Sequence, residues 1–388
     1  MVKLPSKTEY VINTLYKNGF EAYFVGGCVR DMLMGKIPHD FDITTNALPE
    51  NIMELFQKTV PTGIAHGTVT VIVENTPIEV TTYRTEGDYL DNRRPESVKF
   101  VSTLKEDLSR RDFTVNALAY NDTCGLVDYF DGKKDLENKI LRTVGNPKDR
   151  FSEDALRILR LFRFSSVLDF KIESSTLESA LKTAHLLQNI SKERIFSELF
   201  KSCSGENTDI LSKLVSTNAL SFLGISKNAN FSLLQKLNSN PDLCFFTFLY
   251  LSSDNPIETL KILKAPNKLL KFTEQLLFLL NCPAPNEKTE IKHLLSNTEK
   301  TVFNDYLLLL NAFGKDTRLA KQLFDEILKN NEPYLISHLK IDGAILKKLG
   351  FVGNQIGEVL KFLQDEVIKT PHNNTTEILT EKALKKLP

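Results

Sequence analysis

The chain has 388 residues, 41% hydrophobic and 25% charged, with 49 basic and 49 acidic side chains and a formal net charge of zero. Such a length predicts roughly two to four domains of ordinary globular composition. No run approaches the ~20 apolar residues of a membrane span, so no membrane partner is expected. The segment Met1–Ser6 lacks the apolar core of a signal peptide. The five cysteines are scattered and include no Cys-x-x-Cys pair. They argue against a disulfide framework or a zinc site and for a cytoplasmic location.

Zero net charge conceals an asymmetry. Twelve of the thirteen arginines lie at or before Arg194, and the C-terminal half relies on lysine. Arginine's planar fork suits phosphates and base edges, whereas lysine acts as a point charge. Specific recognition is therefore expected in the N-terminal half and looser backbone contact beyond it.

Apolar spacing predicts a helix over about 6–18, then strands at Ala22–Val25, Phe41–Thr44, Thr68–Val73 and Ile78–Tyr83. The last two flank Glu74-Asn75-Thr76-Pro77, which reads as a hairpin turn. A polar stretch over 84–96 is followed by a strand near Val98–Val101, a helix starting near Asp112 or Thr114, and a strand at Leu126–Phe130. From about Asn146 helical periodicity is almost unbroken, beginning with Phe151–Leu168, Thr176–Gln188 and Lys192–Lys201. Phe245–Tyr250 reads as helix core. No fixed-period repeat is present. The fold class expected is α+β, a small mixed-sheet head followed by a long helical extension.

Chemistry concentrates in three clusters. In Gly26-Gly27-Cys28-Val29-Arg30-Asp31 a strand runs into a paired-glycine turn and a helix start, and Asp40-Phe41-Asp42 follows nine residues later. Adjacent glycines let backbone N–H groups approach a phosphate chain. Alternate residues of a strand share a face, so Asp40 and Asp42 would stand side by side, a pair suited to Mg²⁺. The second cluster, Arg110-Arg111-Asp112-Phe113-Thr114-Val115-Asn116, places two cations at a helix start, with an aspartate able to accept from a ribose or simply to cap the helix. The third contains Glu153, Asp154, Arg157, Arg160 and Arg163. On a continuous helix Asp154 and Arg157 are neighbours that either form an ordinary ion pair or present an acceptor and a donor fork to a nucleobase. Cytosine and adenine both satisfy such a pair; guanine and uracil do not.

The ordered set Gly26-Gly27-x-x-Arg30-Asp31 with Asp40-x-Asp42 resembles the signature of polymerase β-like nucleotidyltransferases, and more narrowly that of class II CCA-adding enzymes of Gram-positive bacterial type. The likeness is close over residues 20–200 and loose beyond. It implies two-metal nucleotidyl transfer with Mg²⁺ on Asp40 and Asp42, and Glu79 as a third carboxylate. Gly26, Gly27, Arg30, Arg111 and Asp112 would contact the nucleotide, with Asn116 in support, and Arg160 and Arg163 would continue toward the triphosphate. Glu153-Asp154-x-x-Arg157 is similar to the family's amino-acid template for choosing CTP or ATP. A loop carrying Arg84, Glu86, Asp91, Arg93 and Arg94 would act as the lever that switches between them. Ser191–Glu198 is similar to a bracing motif in which Glu193 or Glu198 pairs with a neck arginine. The same likeness implies a head over 1–145, a neck over 146–205, a body over 206–300 and a tRNA-binding tail over 301–388. The expected activity is template-independent CCA addition to tRNA. An A-only or CC-only enzyme and a poly(A) polymerase are the alternatives. The oligomeric state is left open.

Overall fold

The computed structural model describes residues 5–38, 40–86 and 98–386. The chain folds as two compact units. One runs to Asn238 and includes Leu251–Asp254 and Ile262–Lys264; the other comprises Ser239–Tyr250, Asn255–Lys261 and the chain from Ala265.

The first unit opens with helix α1 (Ser6–Lys17), strand β1 (Ala22–Val25), helix α2 (Gly27–Leu33), strand β2 (Asp42–Thr45) and helix α3 (Pro49–Leu55). Strands β3 (Thr59–Gly63), β4 (Thr68–Val73) and β5 (Thr76–Thr82) follow, then a short ribbon of β6 (Arg84–Glu86) and β7 (Val98–Phe100). Helix α4 (Leu104–Ser109), strands β8 (Leu118–Asn121) and β9 (Gly125–Asp128), helix α5 (Gly132–Glu137) and strand β10 (Ile140–Leu141) complete the head. Seven strands form one sheet in the order β3-β4-β5-β2-β1-β8-β9. Only β2 and β5 pair in parallel; the other neighbours are antiparallel. Strand β1 is buried throughout because it serves two cores. Phe24 packs with Val11, Leu15, Val29 and Val80 on one face, and Tyr23 and Val25 pack with Tyr83, Leu104 and Leu108 on the other.

Several expectations needed adjustment. The hairpin turn tightens to Glu74-Asn75, whose φ angles of 46° and 63° suit a two-residue turn, and the strand resumes at Thr76. The helix expected from Asp112 or Thr114 is a single 3₁₀ turn, Thr114–Asn116, because Leu118–Asn121 is claimed as a strand by β1 and β9. Strand β3 and helix α3 were not foreseen. Strand β3 is an exposed edge that contains Pro61 and lacks alternation.

The predicted helix Phe151–Leu168 is two helices, α6 (Pro147–Glu153) and α7 (Leu156–Leu168). They break at Asp154, which is extended at φ −134° and ψ 103°. Its Oδ1 accepts from Leu156 N at 3.0 Å, giving the next helix an aspartate cap. Strand β11 (Lys171–Ile172) then pairs with β10, and helices α8 (Ser174–Thr183) and α9 (Lys192–Ser202) follow.

The second unit is helical. Phe245, Phe246 and Phe248 are buried, as expected for helix core. Near its end Ile341, Leu346, Phe351, Leu363, Val367 and Leu379 form a further small core. Among the described residues no helix is long and apolar enough to cross a membrane.

Candidate active site

The turn from β1 into α2 places Gly26 at φ 76° and ψ −133°, a conformation open to glycine and very few other residues. A Cβ there would lie 2.8 Å from Arg111 Nη1. At Gly27 the nearest atom would be Arg30 Nη2 at 3.6 Å, an ordinary contact. Thus Gly26 is required by the backbone and by Arg111, while Gly27 lines the cavity without a comparable steric need for glycine. Arg30 is buried on α2, donating to Asn116 Oδ1 at 2.7 Å and to Asp31 Oδ1 at 2.8 Å.

Asp42 begins β2, and Asp40 lies in the bend just before it rather than on the strand as expected. In the parallel ladder Asp42 stands opposite Glu79 of β5, so these two share a pleat. Asp42 is solvent-exposed, yet the surrounding protein strips enough hydration to raise its carboxyl pKa. Arg111 opposes that shift and the charge of Asp40 adds to it. A carboxylate pair held against its own repulsion is a hard oxygen donor set of the kind Mg²⁺ takes. Among the described residues no three His, Cys, Asp or Glu side chains converge closely enough to hold one ion.

Two cavities meet at Asp42. One, of about 640 Å³, is lined by Gly26, Gly27, Asp112, Asn116, Asp154 and an array of arginines. The other, of about 620 Å³, is lined by Asp40, Phe41, Glu79, Pro38 and Ile37.

Arg110 and Arg111 follow the end of α4 instead of starting a helix. Their anchor is Asp107, which is fully buried. It accepts from Arg110 Nη2 at 2.9 Å and pairs with Arg111 Nη2 at 3.5 Å. It also accepts from Thr44 Oγ1 and from the backbone N–H of Arg84 at the foot of the ribbon. Burial opposes its charge, but Arg111 and Arg110 outweigh burial and its pKa is lowered. Asp112 is buried and faces inward. Oδ1 accepts from Phe113 N and Asn116 Nδ2, and Oδ2 accepts from Arg160 Nε at 2.7 Å. Against the cost of burial, Arg160 pulls its pKa down to about 2. In this structure its carboxylate orients arginine and asparagine.

Because of the break at Asp154, the Asp154–Arg157 pair is not a direct ion pair. Asp154 Oδ2 accepts from Arg194 Nη2 at 2.9 Å, and Arg157 donates to Glu153 Oε2 at 2.6 Å and to Arg110 O at 2.9 Å. Both side chains nonetheless line the larger cavity. Arg160 and Arg163 line it too. Arg163 pairs with Glu198, as expected of the bracing motif, whereas Glu193 pairs with Lys264. Arg84 donates to the carbonyl of His66, and Glu86 ends β6. Asp91, Arg93 and Arg94 lie outside the described residues, as does His39.

Sequence reasoning missed Asp107, Arg194 as the partner of Asp154, Glu153 as the partner of Arg157, and Phe164. The i, i+3 and i, i+4 spacing of Asp107 to Arg110 and Arg111 was the available signal for the first. Nothing in local spacing links Arg194 to Asp154, forty residues apart.

The chain is similar over nearly its whole length to known proteins. Residues 22–142 match a family described as the poly A polymerase head domain, and residues 169–224 match one described as a probable RNA and SrmB-binding site of polymerase A. The CCA-adding enzyme of Ligilactobacillus salivarius is 38% identical, over 97% of this chain and 95% of that protein. The chain belongs to the CCA-adding enzyme family. The Enterococcus faecalis CCA-adding enzyme is 37% identical, over 97% of this chain and 94% of its own length. The crystal structure of the Bacillus stearothermophilus CCA-adding enzyme in complex with CTP superimposes with a TM-score of 0.86 at 30% identity, covering 98% of each chain. The relatives are of the Gram-positive type expected, and the α+β fold with a mixed-sheet head is the one expected.

Proposed function

We propose that this enzyme adds CCA to the 3′ end of tRNA from CTP and ATP, with Asp154 and Arg157 selecting the base. The observation that carries this reading is the single 640 Å³ cavity in which Asp42 and Arg111 of the head face Asp154 and Arg157 of the following helices. Phosphate-binding and base-reading groups thus open on one space of nucleotide size. That bacterial relatives matching nearly the whole chain are CCA-adding enzymes supports it.

In this reading Gly26 and Gly27 leave room for the triphosphate against the α2 turn, and Arg30, Arg111, Arg160 and Arg163 supply its donors. Asp154 accepts from the exocyclic amine that cytosine and adenine share, and Arg157 donates to the ring acceptors. Arg194 and Glu153 hold that pair at its angle. The inward-facing Asp112 and Asn116 fix Arg160 and Arg30. Asp40 and Asp42 would hold Mg²⁺, which supplies charge neutralisation and a lowered pKa for the attacking 3′-hydroxyl; Glu79 lies beside them. The lysine-bearing helices contact tRNA through its phosphates, so binding weakens as salt rises. The head, neck, body and tail boundaries at 145, 205 and 300 belong to the same proposal.

The deciding experiment supplies tRNA ending before CCA, or after CC, with CTP alone, ATP alone or both. Growth by three nucleotides only when both are present is expected. A stop after CC, or failure on tRNA lacking CC, would replace this reading with a CC-only or A-only enzyme. A long A tract would favour poly(A) polymerase, the activity for which the matched head family is described.

A further inference from the structure

On α7 the residues Arg157, Arg160 and Phe164 follow one another at helical spacing along the cavity wall. A phenylalanine therefore ends a stripe that is otherwise cationic. Its ring is surrounded by guanidinium groups. The Cζ atoms of Arg163, Arg30 and Arg160 lie 4.4, 5.2 and 5.3 Å from the ring centroid. Each of these arginines is also tied to a separate carboxylate: Arg30 to Asp31, Arg160 to Asp112 and Arg163 to Glu198. The Phe113 and Phe164 rings are perpendicular, at 85° with centroids 5.8 Å apart, a T-shaped contact that fixes the plane of Phe164. Phe164 is 9% exposed, and it reaches both the head arginine on α2 and the two arginines of its own helix.

We propose that Phe164 is a positioning residue for the triphosphate of the incoming nucleotide, its π-face gathering Arg30, Arg160 and Arg163 into one polyphosphate-binding array. The physical reason is like-charge repulsion. Three guanidiniums converging on one point repel each other, and with each already paired to one carboxylate a fourth carboxylate placed among them would turn the group net negative and repel phosphate. An aromatic face attracts cations through its quadrupole without contributing net charge. Burial lowers the pKa of Arg163, and the neighbouring charges of Arg160 and Arg30 add to that effect against Glu198, a sign of how closely the group is packed. A leucine would fill the helix face as well but would leave the array without its central support. The proposal rests on the reading of this cavity as a nucleotide site, yet it makes a claim about polyphosphate alone.

The test uses the full chain and inorganic pyrophosphate, whose binding is measured by calorimetry and requires no turnover. Phe164→Leu and Phe164→Met remove the π-face while keeping apolar volume, and Phe164→Tyr restores the face. The expected result is a loss of pyrophosphate affinity of about tenfold in the Leu and Met variants. The Tyr variant should stay within about twofold of the parent. KM for CTP and for ATP should rise in the same proportion as the pyrophosphate dissociation constant, while KM for tRNA stays unchanged. A purely structural ring would instead lower kcat or thermal stability and leave pyrophosphate binding alone, and that outcome overturns the proposal. Equal losses in the Tyr and Leu variants overturn it too. CCA addition by the parent enzyme, assayed in parallel, separates the two claims. Its absence would sink the functional reading, while the pyrophosphate measurements would still decide the role of Phe164.

Discussion

Gly26→Ala perturbs the backbone and one cavity-lining side chain at once, and the two effects can be separated. At φ 76° and ψ −133° an alanine sits in a region nearly reserved for glycine, at a cost of ~1–3 kcal/mol. For a unit of this size each kcal/mol lowers Tm by roughly 2–4 °C, so a fall of several degrees is expected. The new Cβ would also stand 2.8 Å from Arg111 Nη1, the far end of a flexible side chain. That atom moves at little cost to stability, but the guanidinium leaves the cavity wall. If it makes one charge-assisted contact with phosphate, its loss is ~1.5–3 kcal/mol, or about 10- to 100-fold in kcat/KM for CTP. A double-mutant cycle with Arg111→Ala resolves the two parts. The loss of Tm should be the same in both backgrounds, whereas the activity losses should overlap, leaving the double variant no worse than Arg111→Ala. Fully additive activity losses, or a Gly26→Ala enzyme that melts like the parent, would refute the reasoning.

The remaining predictions concern charge. Asp42→Asn should abolish incorporation, by at least about 10³-fold given the several kcal/mol of charge stabilisation lost with the metal site. Because the folded-state pKa of Asp42 is raised, its ionisation opposes folding as pH rises above the usual carboxylate value, so the variant should melt higher than the parent at neutral pH, and Mg²⁺ should raise Tm only in the parent. Asp112 has the opposite sign. With its pKa lowered to about 2, its stabilisation is complete above about pH 4 and is lost as pH falls toward 2. Asp112→Asn should therefore cost ~3 kcal/mol at neutral pH, and melting curves of the two proteins should converge on acidification; a gap that is constant with pH would contradict the assignment. Arg194→Gln frees Asp154 Oδ2, and single-turnover assays with all four nucleoside triphosphates should show discrimination for CTP over UTP falling about tenfold. Unchanged discrimination would remove Arg194 from base selection.

What the sequence made legible divides along physical lines. Gly26, Asp42, Arg111 and Arg157 all line the larger cavity. Gly26 and Asp42 stand out from the residues of one turn and one strand, whereas Arg111 and Arg157 read on local spacing as a surface arginine and half of an ordinary ion pair, and only the family resemblance singles them out. The sheet was mostly readable where strands are buried on both faces, as at β1, and unreadable at the exposed edge β3, where no hydrophobic alternation records the pairing. Leu118 reads as part of the helix expected from Asp112 or Thr114 because so short an apolar run carries no decisive period; pairing of Leu118–Asn121 with β1 and β9 makes it a strand. The break at Asp154 left no mark in the apolar pattern, since Phe151, Ala155, Ile158 and Leu159 are buried on either side of it. An aspartate placed to cap a new helix was the only cue.

That break changes how the pocket works. On one continuous helix Asp154 and Arg157 would be adjacent and would tend to neutralise each other. Interrupted, the chain gives Asp154 to Arg194 and Arg157 to Glu153, and each keeps its own support. The same principle governs the whole cavity. Among the described residues eight arginines and three aspartates line it, although the chain as a whole carries no net charge. Asp107, Glu153 and Glu198 are not among the lining residues, so Arg110, Arg111, Arg157 and Arg163 are oriented from the protein side. Charge balance is thereby met across the fold while the cavity itself stays cationic. Net charge is a sum over the molecule and a triphosphate responds to the local field, so a neutral chain is no obstacle to a site built for polyanions.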